Sequence, residues 1–278
     1  MSESIYDVVI LGAGSGGYAA ALRAAQLGLK VALIEGDKVG GTCLHRGCIP
    51  TKAYLHVAET ADAIRESAPI GIDATLNGID MVKVGEYRDG VVNKLYRGVE
   101  GLLGSRKVEV IIGWGRVTSP TTVEVNGETI TGKNLILATG SYSRTLPTLP
   151  IEGRVITSEQ ALQMEWIPSH AIILGGGVIG SEFASAWKSF GSEVTIVEGL
   201  PHLVPNEDEI ISKNLERAFR KRGIDFKLGV RFSGVTQDEL VADFIDDAMR
   251  AYADQVEALA AAGVPFPGHT ELLQAEAA

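Results

Sequence analysis

Ile5-Tyr6-Asp7-Val8-Val9-Ile10-Leu11-Gly12-Ala13-Gly14-Ser15-Gly16-Gly17 opens the chain with an apolar run that ends in G-x-G-x-x-G. The run fits a buried parallel strand, and the alanine-rich stretch Tyr18–Leu27 reads as the helix that follows it. Gly28 ends that helix, and Lys30–Ile34 is a second strand closing on Glu35. Gly12 permits the tight turn, Gly14 lets backbone approach a pyrophosphate, and Gly17 lets the helix pack on the strand. The helix N-terminus then meets phosphates with its unpaired amides. Glu35, 23 residues after Gly12, can accept hydrogen bonds from a ribose diol. A lone G-x-G-x-x-G is weak evidence. Strand, motif, helix, strand and acid in that order specify a dinucleotide-binding α/β unit.

The same order returns later. Ala171–Leu174 runs into Gly175-Gly176-Gly177-Val178-Ile179-Gly180, then a helix from Ser181 to Phe190, a strand Glu193–Val197, and Glu198, again 23 residues after the first glycine. Gly175, Gly177 and Gly180 repeat the roles of Gly12, Gly14 and Gly17. Two complete fingerprints imply two dinucleotides. An acid after each second strand favours a free 2′-hydroxyl, so NAD rather than NADP is the expected nicotinamide partner.

Between the fingerprints lies Gly40-Gly41-Thr42-Cys43-Leu44-His45-Arg46-Gly47-Cys48-Ile49-Pro50-Thr51-Lys52, with the only two cysteines of the chain. A bond between residues so close in sequence closes almost no loop, so stabilisation is a poor reason for the pair. A dithiol that opens and closes is a better one, and two buried free thiols remain the alternative. A helix starting at Cys48, with Pro50 in its first turn, would lower that thiol's pKa below its free value of about 8.5. Lys52 either adds to that effect, contacts a bound cofactor, or is an ordinary surface lysine.

The remaining pattern is mixed. Met81, Val84, Val91, Leu95, Val99 and Leu102 suggest a helix over 79–103, weakened by Gly85, Gly90 and Gly98. Val108–Ile112 and Thr121–Val125 read as strands, Asn126-Gly127 as a hairpin turn into Glu128–Ile130, and Asn134–Ala138 as a further buried strand. Glu207–Arg222 is a helix and Phe226–Phe232 a strand. After Thr236 the composition changes: residues 237–278 carry nine acids and one base, Arg250, within a net charge of -10 for the whole chain. Leu240, Val241, Phe244, Ile245, Met249, Tyr252, Val256 and Leu259 recur at helical spacing, which predicts one acidic amphipathic helix up to Gly263.

With 278 residues, 45% hydrophobic and 22% charged, the chain can hold two ordinary globular domains. The negative charge argues against a nucleic-acid binder. No apolar run is long enough to span a bilayer, and the polar residues 1–4 leave no room for a signal peptide before the first strand. Two cysteines exclude a disulfide scaffold, so a reducing, cytoplasmic location is expected. The expected fold is α/β: two Rossmann-like dinucleotide-binding domains, 1–150 with the cysteine pair and an incomplete 151–236, plus the acidic helical tail 237–278.

The combination of Gly40-Gly41-Thr42-Cys43 through Gly47-Cys48-Ile49-Pro50, both glycine fingerprints and Ala138-Thr139-Gly140 resembles the flavin-dependent pyridine nucleotide–disulfide oxidoreductases. Thr51-Lys52, Gly180-Ser181-Glu182 and Leu203-Val204-Pro205 bring it nearest to the dihydrolipoyl dehydrogenase branch, over residues 5 to about 236. The resemblance implies that Gly12, Gly14, Gly17, Glu35, Thr42, Lys52, Gly115, Thr139, Gly140 and Ser141 hold FAD. It assigns Gly175, Gly177, Val178, Ile179, Gly180 and Glu198 to NAD, and no metal. Cys43 and Cys48 would form the redox disulfide, with Cys43 meeting substrate and Cys48 facing the flavin, and Lys52 would pair with Glu182. The implied reaction passes electrons from a dithiol, free or on a lipoyl-bearing protein, through the disulfide and FAD to NAD+.

Three parts of such an enzyme have no counterpart here: the later strands of the NAD domain, a late Gly-Asp segment, and a dimer-forming interface domain with a His-Pro motif. His45, His56, His170, His202 and His269 all read as structural or surface residues, so no catalytic base is assigned. The chain is expected to keep the cofactor folds without the full reaction, the acidic helix standing in for the second half.

Overall fold

A computed structural model describes residues 5–143, 146, 149–230 and 241–243. Strand β1 (Ile5–Leu11) leads through the glycine turn into α1 (Ser15–Gln26), and β2 (Val31–Glu35) returns parallel to β1, with Val8 opposite Val31 and Leu11 opposite Ile34. The small residues Gly17, Ala21 and Ala24 form the buried face of α1, which lets it lie close on Val8, Ile10, Val31 and Leu33 of the sheet. The cysteine stretch follows as α2 (Gly41–His45) and the start of α3 (Cys48–Arg65). Helix α4 (Met81–Ser105) packs against α3, its first turn capped by the Asp80 carboxylate, which accepts from the amides of Val82 and Lys83.

Strand β3 (Glu109–Ile112) joins the far side of β2, while β4 (Arg116–Ser119), β5 (Thr122–Val125) and β6 (Glu128–Leu137) build outward from the other side of β1. The sheet order is β3-β2-β1-β6-β5-β4, parallel from β3 to β6 and antiparallel beyond. Asn126 (φ 54°) and Gly127 (φ 79°) turn β5 into β6, the two left-handed residues that a type I′ hairpin needs.

The second sheet comprises β7 (Val155–Thr157), β8 (His170–Leu174), β9 (Glu193–Val197), β10 (Asp225–Lys227) and β11 (Val241–Asp243). Its order is β10-β9-β8-β11-β7, with every pair parallel. Its helices are α5 (Ser158–Ala161), α6 (Val178–Phe190) and α7 (Glu209–Arg222). Gly191 and Gly223 close α6 and α7 in the left-handed conformation.

One apolar cluster crosses from the first part of the chain to the second. Tyr54 and Ala58 of α3 and Met81 and Val84 of α4 pack with Phe183, Trp187 and Phe190 of α6 and with Ile173 and Ile196 of the second sheet. Tyr54 meets Phe190 edge-on at 5.9 Å, and its hydroxyl donates to the Leu162 carbonyl at 2.9 Å.

Several elements differ from the sequence pattern. The two expected strands at 128–130 and 134–138 form the single strand β6, because Gly132 continues the extended backbone between them. The short α2, β4, β7 and α5 were not anticipated. Strand β10 ends at Lys227, earlier than the expected 226–232, whose last two residues lie outside the described residues. Val241–Asp243 is a strand between β8 and β7 rather than the first turn of an acidic helix; pairing on both sides outweighs a helical period of so few residues. The rest of that expected helix lies outside the described residues.

Candidate functional site

The two glycine fingerprints adopt one geometry. Gly12 (φ 98°) and Gly175 (φ 104°) are left-handed, and each donates its amide to the second strand, Gly12 to Ile34 O and Gly175 to Val197 O, both at 2.8 Å. Gly14 and Gly177 cap α1 and α6 with the same backbone angles, φ -66° and ψ -173°. A methyl group on Gly17 would stand 1.8 Å from Gly12 O, and one on Gly180 would stand 2.1 Å from Gly175 O. These two sites accept only glycine, for the close helix–strand packing inferred from the spacing.

The acids at the strand ends fasten the same turns. Glu35 accepts from Ala13 N at 2.7 Å and from Asp37 N at 2.9 Å. Glu198 accepts from Gly176 N at 2.6 Å and from Leu200 N at 2.8 Å, and only 9% of it is exposed. Each carboxylate is therefore held at the carboxyl end of its sheet, beside the free amides of a helix N-terminus. In open α/β sheets that is where ligands bind.

The cysteine loop sits directly on the first fingerprint. Gly40 N donates to Ala13 O at 2.8 Å, and a methyl group on Gly41 would come within 2.6 Å of the Gly14 Cα. Gly40 (φ 108°) and Gly41 (φ 60°) are both left-handed, so the diglycine serves conformation as well as close approach. Cys43 on α2 and Cys48 at the first position of α3 are joined in a disulfide, with Cα atoms 4.7 Å apart. Cys48 is exposed and Cys43 half-buried. Between them, His45 Nε2 is bonded to Val39 O at 2.8 Å and its ring meets Tyr96 edge-on, while Arg46 pairs with Asp37 and with Glu159 of α5.

Lys52, one turn into α3, pairs with Glu182 of α6, Nζ to Oε1 at 2.5 Å. The pair ties the disulfide-bearing helix to the helix that opens the second fingerprint. Ala138 and Thr139 lie against Gly12, since a methyl there would meet Ala138 O at 2.1 Å and the Thr139 Cα at 3.1 Å. Gly140 is left-handed (φ 81°), and Thr139, Gly140 and Ser141 are exposed beside the turn. Gly115 is half-buried, and a methyl group there would meet the side chains of Leu11, Val123 and Ile34. Thr42 is exposed on α2, Val178 is exposed and Ile179 half-buried at the start of α6.

Two features escaped the sequence reading. Trp114, 83% exposed, lies over Gly36, next to Glu35, and an unexplained tryptophan beside a glycine was the only available signal. Asp62, Arg65, Ser189 and Arg222 form a polar knot between α3, α6 and α7, which no local pattern announces. Of the histidines, His56 lies beside the Tyr87 ring, His170 bonds Thr195 at 3.2 Å, and His269 lies outside the described residues.

Comparison with known proteins places this arrangement. The chain is 44% identical over 263 residues to the dihydrolipoyl dehydrogenase of Bacillus subtilis (strain 168), covering 90% of this chain and 55% of that protein. It is 43% identical over 230 residues to the dihydrolipoyl dehydrogenase of Thermus scotoductus, covering 82% and 50%. Among solved structures it is similar to the Cu(II) complex of the HOCl-induced flavoprotein disulfide reductase RclA from Escherichia coli. The TM-score there is 0.70 and the identity 31%, over 84% of this chain and 51% of that one. The chain thus spans about half the length of the curated relatives it matches. Residues 6–264 match the family described as pyridine nucleotide-disulphide oxidoreductase, further than the expected limit near 236. With its disulfide seated on one fingerprint and tied by Lys52 and Glu182 to a second, the chain belongs to that family.

Proposed function

We propose that the chain is the dinucleotide and disulfide part of a dihydrolipoyl-dehydrogenase-type flavoenzyme. The observation that carries this reading is the docking of the Cys43–Cys48 loop on the first fingerprint, Gly41 against Gly14. Gly14 itself is open, since a methyl there would meet nothing nearer than the Gly41 Cα at 3.9 Å. A pyrophosphate can approach that backbone, and the residues present fit FAD. Gly12, Gly14, Gly17, Glu35, Thr42, Gly115, Thr139, Gly140 and Ser141 would hold it, with Lys52 at its redox end. Gly175, Gly177, Val178, Ile179, Gly180 and Glu198 would hold NAD. Bound FAD supplies two-electron relay between thiols and nicotinamide.

The residues of the chain then divide the remaining work. A substrate dithiol, free or on a lipoyl-bearing protein, attacks the disulfide at Cys43; one S–S bond forms in the substrate as the Cys43–Cys48 bond breaks. The enzyme dithiol takes up the two electrons and two protons the substrate loses. Cys48, at the N-terminus of an 18-residue helix, is the sulfur whose thiolate the helix end stabilises. Reoxidation returns the pair to a disulfide while NAD+ leaves as NADH and one proton is released. No histidine is assigned as the base that assists the substrate dithiol, His45 Nε2 being already bonded to Val39 O. A cytoplasmic location belongs to the same reading; the homodimer expected of the family would need the interface domain that has no counterpart in this sequence.

A second direction, disulfide reduction by NADH, is favoured by the likeness to RclA. Both directions use the same sites, and one experiment separates them. The purified 278-residue chain is assayed for retained flavin absorbance, for NADH-driven appearance of two thiols, and for NAD+-linked oxidation of dihydrolipoamide. The proposal expects flavin and thiol appearance, both without steady dithiol turnover, and loss of thiol appearance in Cys43→Ser. Turnover of about 1–10³ s⁻¹ would sink the statement about the base. A colourless protein with unreactive cysteines would sink the whole reading.

A further inference from the structure

The Lys52–Glu182 pair joins two helices by one largely exposed contact. The Lys52 side chain is 58% exposed and that of Glu182 30%. A single ion pair so accessible to water contributes little by itself. The apolar seam between the helices, Tyr54 and Ala58 against Phe183, Trp187 and Phe190, brings them together, and ridge-and-groove packing leaves scatter in their crossing angle.

Directional bonds lie at the far end of the same seam. Asp62 stands nearly three turns beyond Lys52 on α3. Its Oδ2 accepts from Ser189 Oγ at 2.6 Å and from Arg222 Nη2 at 3.1 Å, and its Oδ1 accepts from Arg65 Nη1 at 2.9 Å. Arg65 Nη1 also donates to Ser189 O at 2.5 Å. Arg222, the last residue of α7, donates to Ser185 Oγ at 2.5 Å and to Ser189 Oγ at 2.7 Å. Ser189, in the last turn of α6, is only 3% exposed. One carboxylate, flanked by two guanidinium groups, therefore fastens the C-terminal turns of α3, α6 and α7 together. Asp62 and Arg222 are each 34% exposed, but several charge-assisted bonds converge there on one carboxylate and on the buried Ser189, where the Lys52–Glu182 pair is a single contact.

We propose that Asp62 is a positioning residue for the Lys52–Glu182 pair. By fixing Ser189 it sets the axial register of α6 on α3, and that register places Lys52 opposite Glu182 at the N-terminal ends of the two helices. The consequence for catalysis rests on the reading of Lys52 as a cofactor-side residue; the alignment of the pair does not.

The test follows the accessibility of one amine. The full chain is labelled by reductive methylation under pulse conditions, and each lysine is quantified by mass spectrometry. Glu182→Gln is expected to raise the Lys52 rate about two- to fourfold, the size of effect that an exposed pair supports. Asp62→Ala and Ser189→Ala are expected to raise it in the same direction, with Lys94 on α4 unchanged. Asp62→Ala combined with Glu182→Gln is expected to add nothing to Glu182→Gln alone. A Lys52 rate in Asp62→Ala that tracks Lys94, or full additivity in the double variant, overturns the proposal. Should Asp62→Ala not fold, Asp62→Asn and Ser189→Ala carry the same comparison. In flavin-loaded protein the reduction potential is expected to shift in the same direction in Asp62→Ala as in Glu182→Gln, again without additivity. Failure of the chain to retain flavin would count against the proposed function and leave the labelling outcome decisive for Asp62.

Discussion

Gly16 and Gly17 are neighbours on α1, and they separate what the fingerprint needs from what it merely tolerates. A methyl group on Gly17 would overlap Gly12 O, whereas one on Gly16 would meet nothing within 4 Å. Gly17→Ala is therefore expected to cost about 1–3 kcal/mol or more, as overpacking against backbone does, and to lower flavin retention. Gly16→Ala is expected to stabilise by up to about 1 kcal/mol through helix propensity alone. Denaturant unfolding of the two variants checks both signs. Tyr6 offers a pH test at the same scale. Burial, and then the nearby Glu109 carboxylate, push its phenol up to about 12. The folded value lies above the unfolded one, so the stabilisation is complete below about pH 10 and is lost as pH rises through about 12. Tyr6→Phe is expected to flatten the alkaline fall in melting temperature across that window and to leave the pH dependence near neutral unchanged. The glycines were readable in the sequence because their constraint is local and steric. The Lys52–Glu182 pairing was not derivable from any local pattern; only the family resemblance pointed to it.

Among elements, length and burial decided what could be read. Helix α4 forms over 25 residues despite Gly85, Gly90, Gly98, Gly101 and Gly104, because burial of Met81, Val84, Val92 and Leu103 outweighs their propensity penalties. Strand β7 and helix α5, of three and four residues, are too short to carry a period, and the Thr157–Gln160 capping box is their only local signal. The seam between α3 and α6 was hidden for a different reason: each helix shows an apolar face, and nothing in either face says which partner covers it. Trp187 lies in that seam at 2% exposure, edge-on to Phe190 at 5.9 Å. Trp187→Ala is expected to cost about 3–5 kcal/mol. The loss should appear as one cooperative transition of both sheets, since the cluster around Trp187 contains residues from each side of the chain. Two separated transitions in the variant, followed by near-ultraviolet circular dichroism, would show that the seam does not couple the halves.

For the whole molecule, the decisive stretch is the one whose composition set it apart. Nine acids among residues 237–278 suggested an appendage, but β11 lies inside the second sheet, with Val241 opposite both Ile172 of β8 and Val155 of β7. Charge reports what faces water across a long stretch; three residues of strand weigh little in it. The position of β11 matters more than its length. Without it β7 has no strand partner among the described residues, and β8 loses the pairing on one side of the strand that feeds the second fingerprint. A chain ending at residue 236 is therefore expected to exchange the backbone amides of β7 and β8 faster than the full chain, and to associate through the unpaired edges. A chain ending at residue 264, the limit of the family match, is expected to retain full protection. Hydrogen exchange read by mass spectrometry on the peptides around Val155–Thr157 and His170–Leu174 compares the two. Equal protection in both would mean that the stretch packs outside the sheet, as its acidic composition had suggested, and that the second fingerprint is held without it.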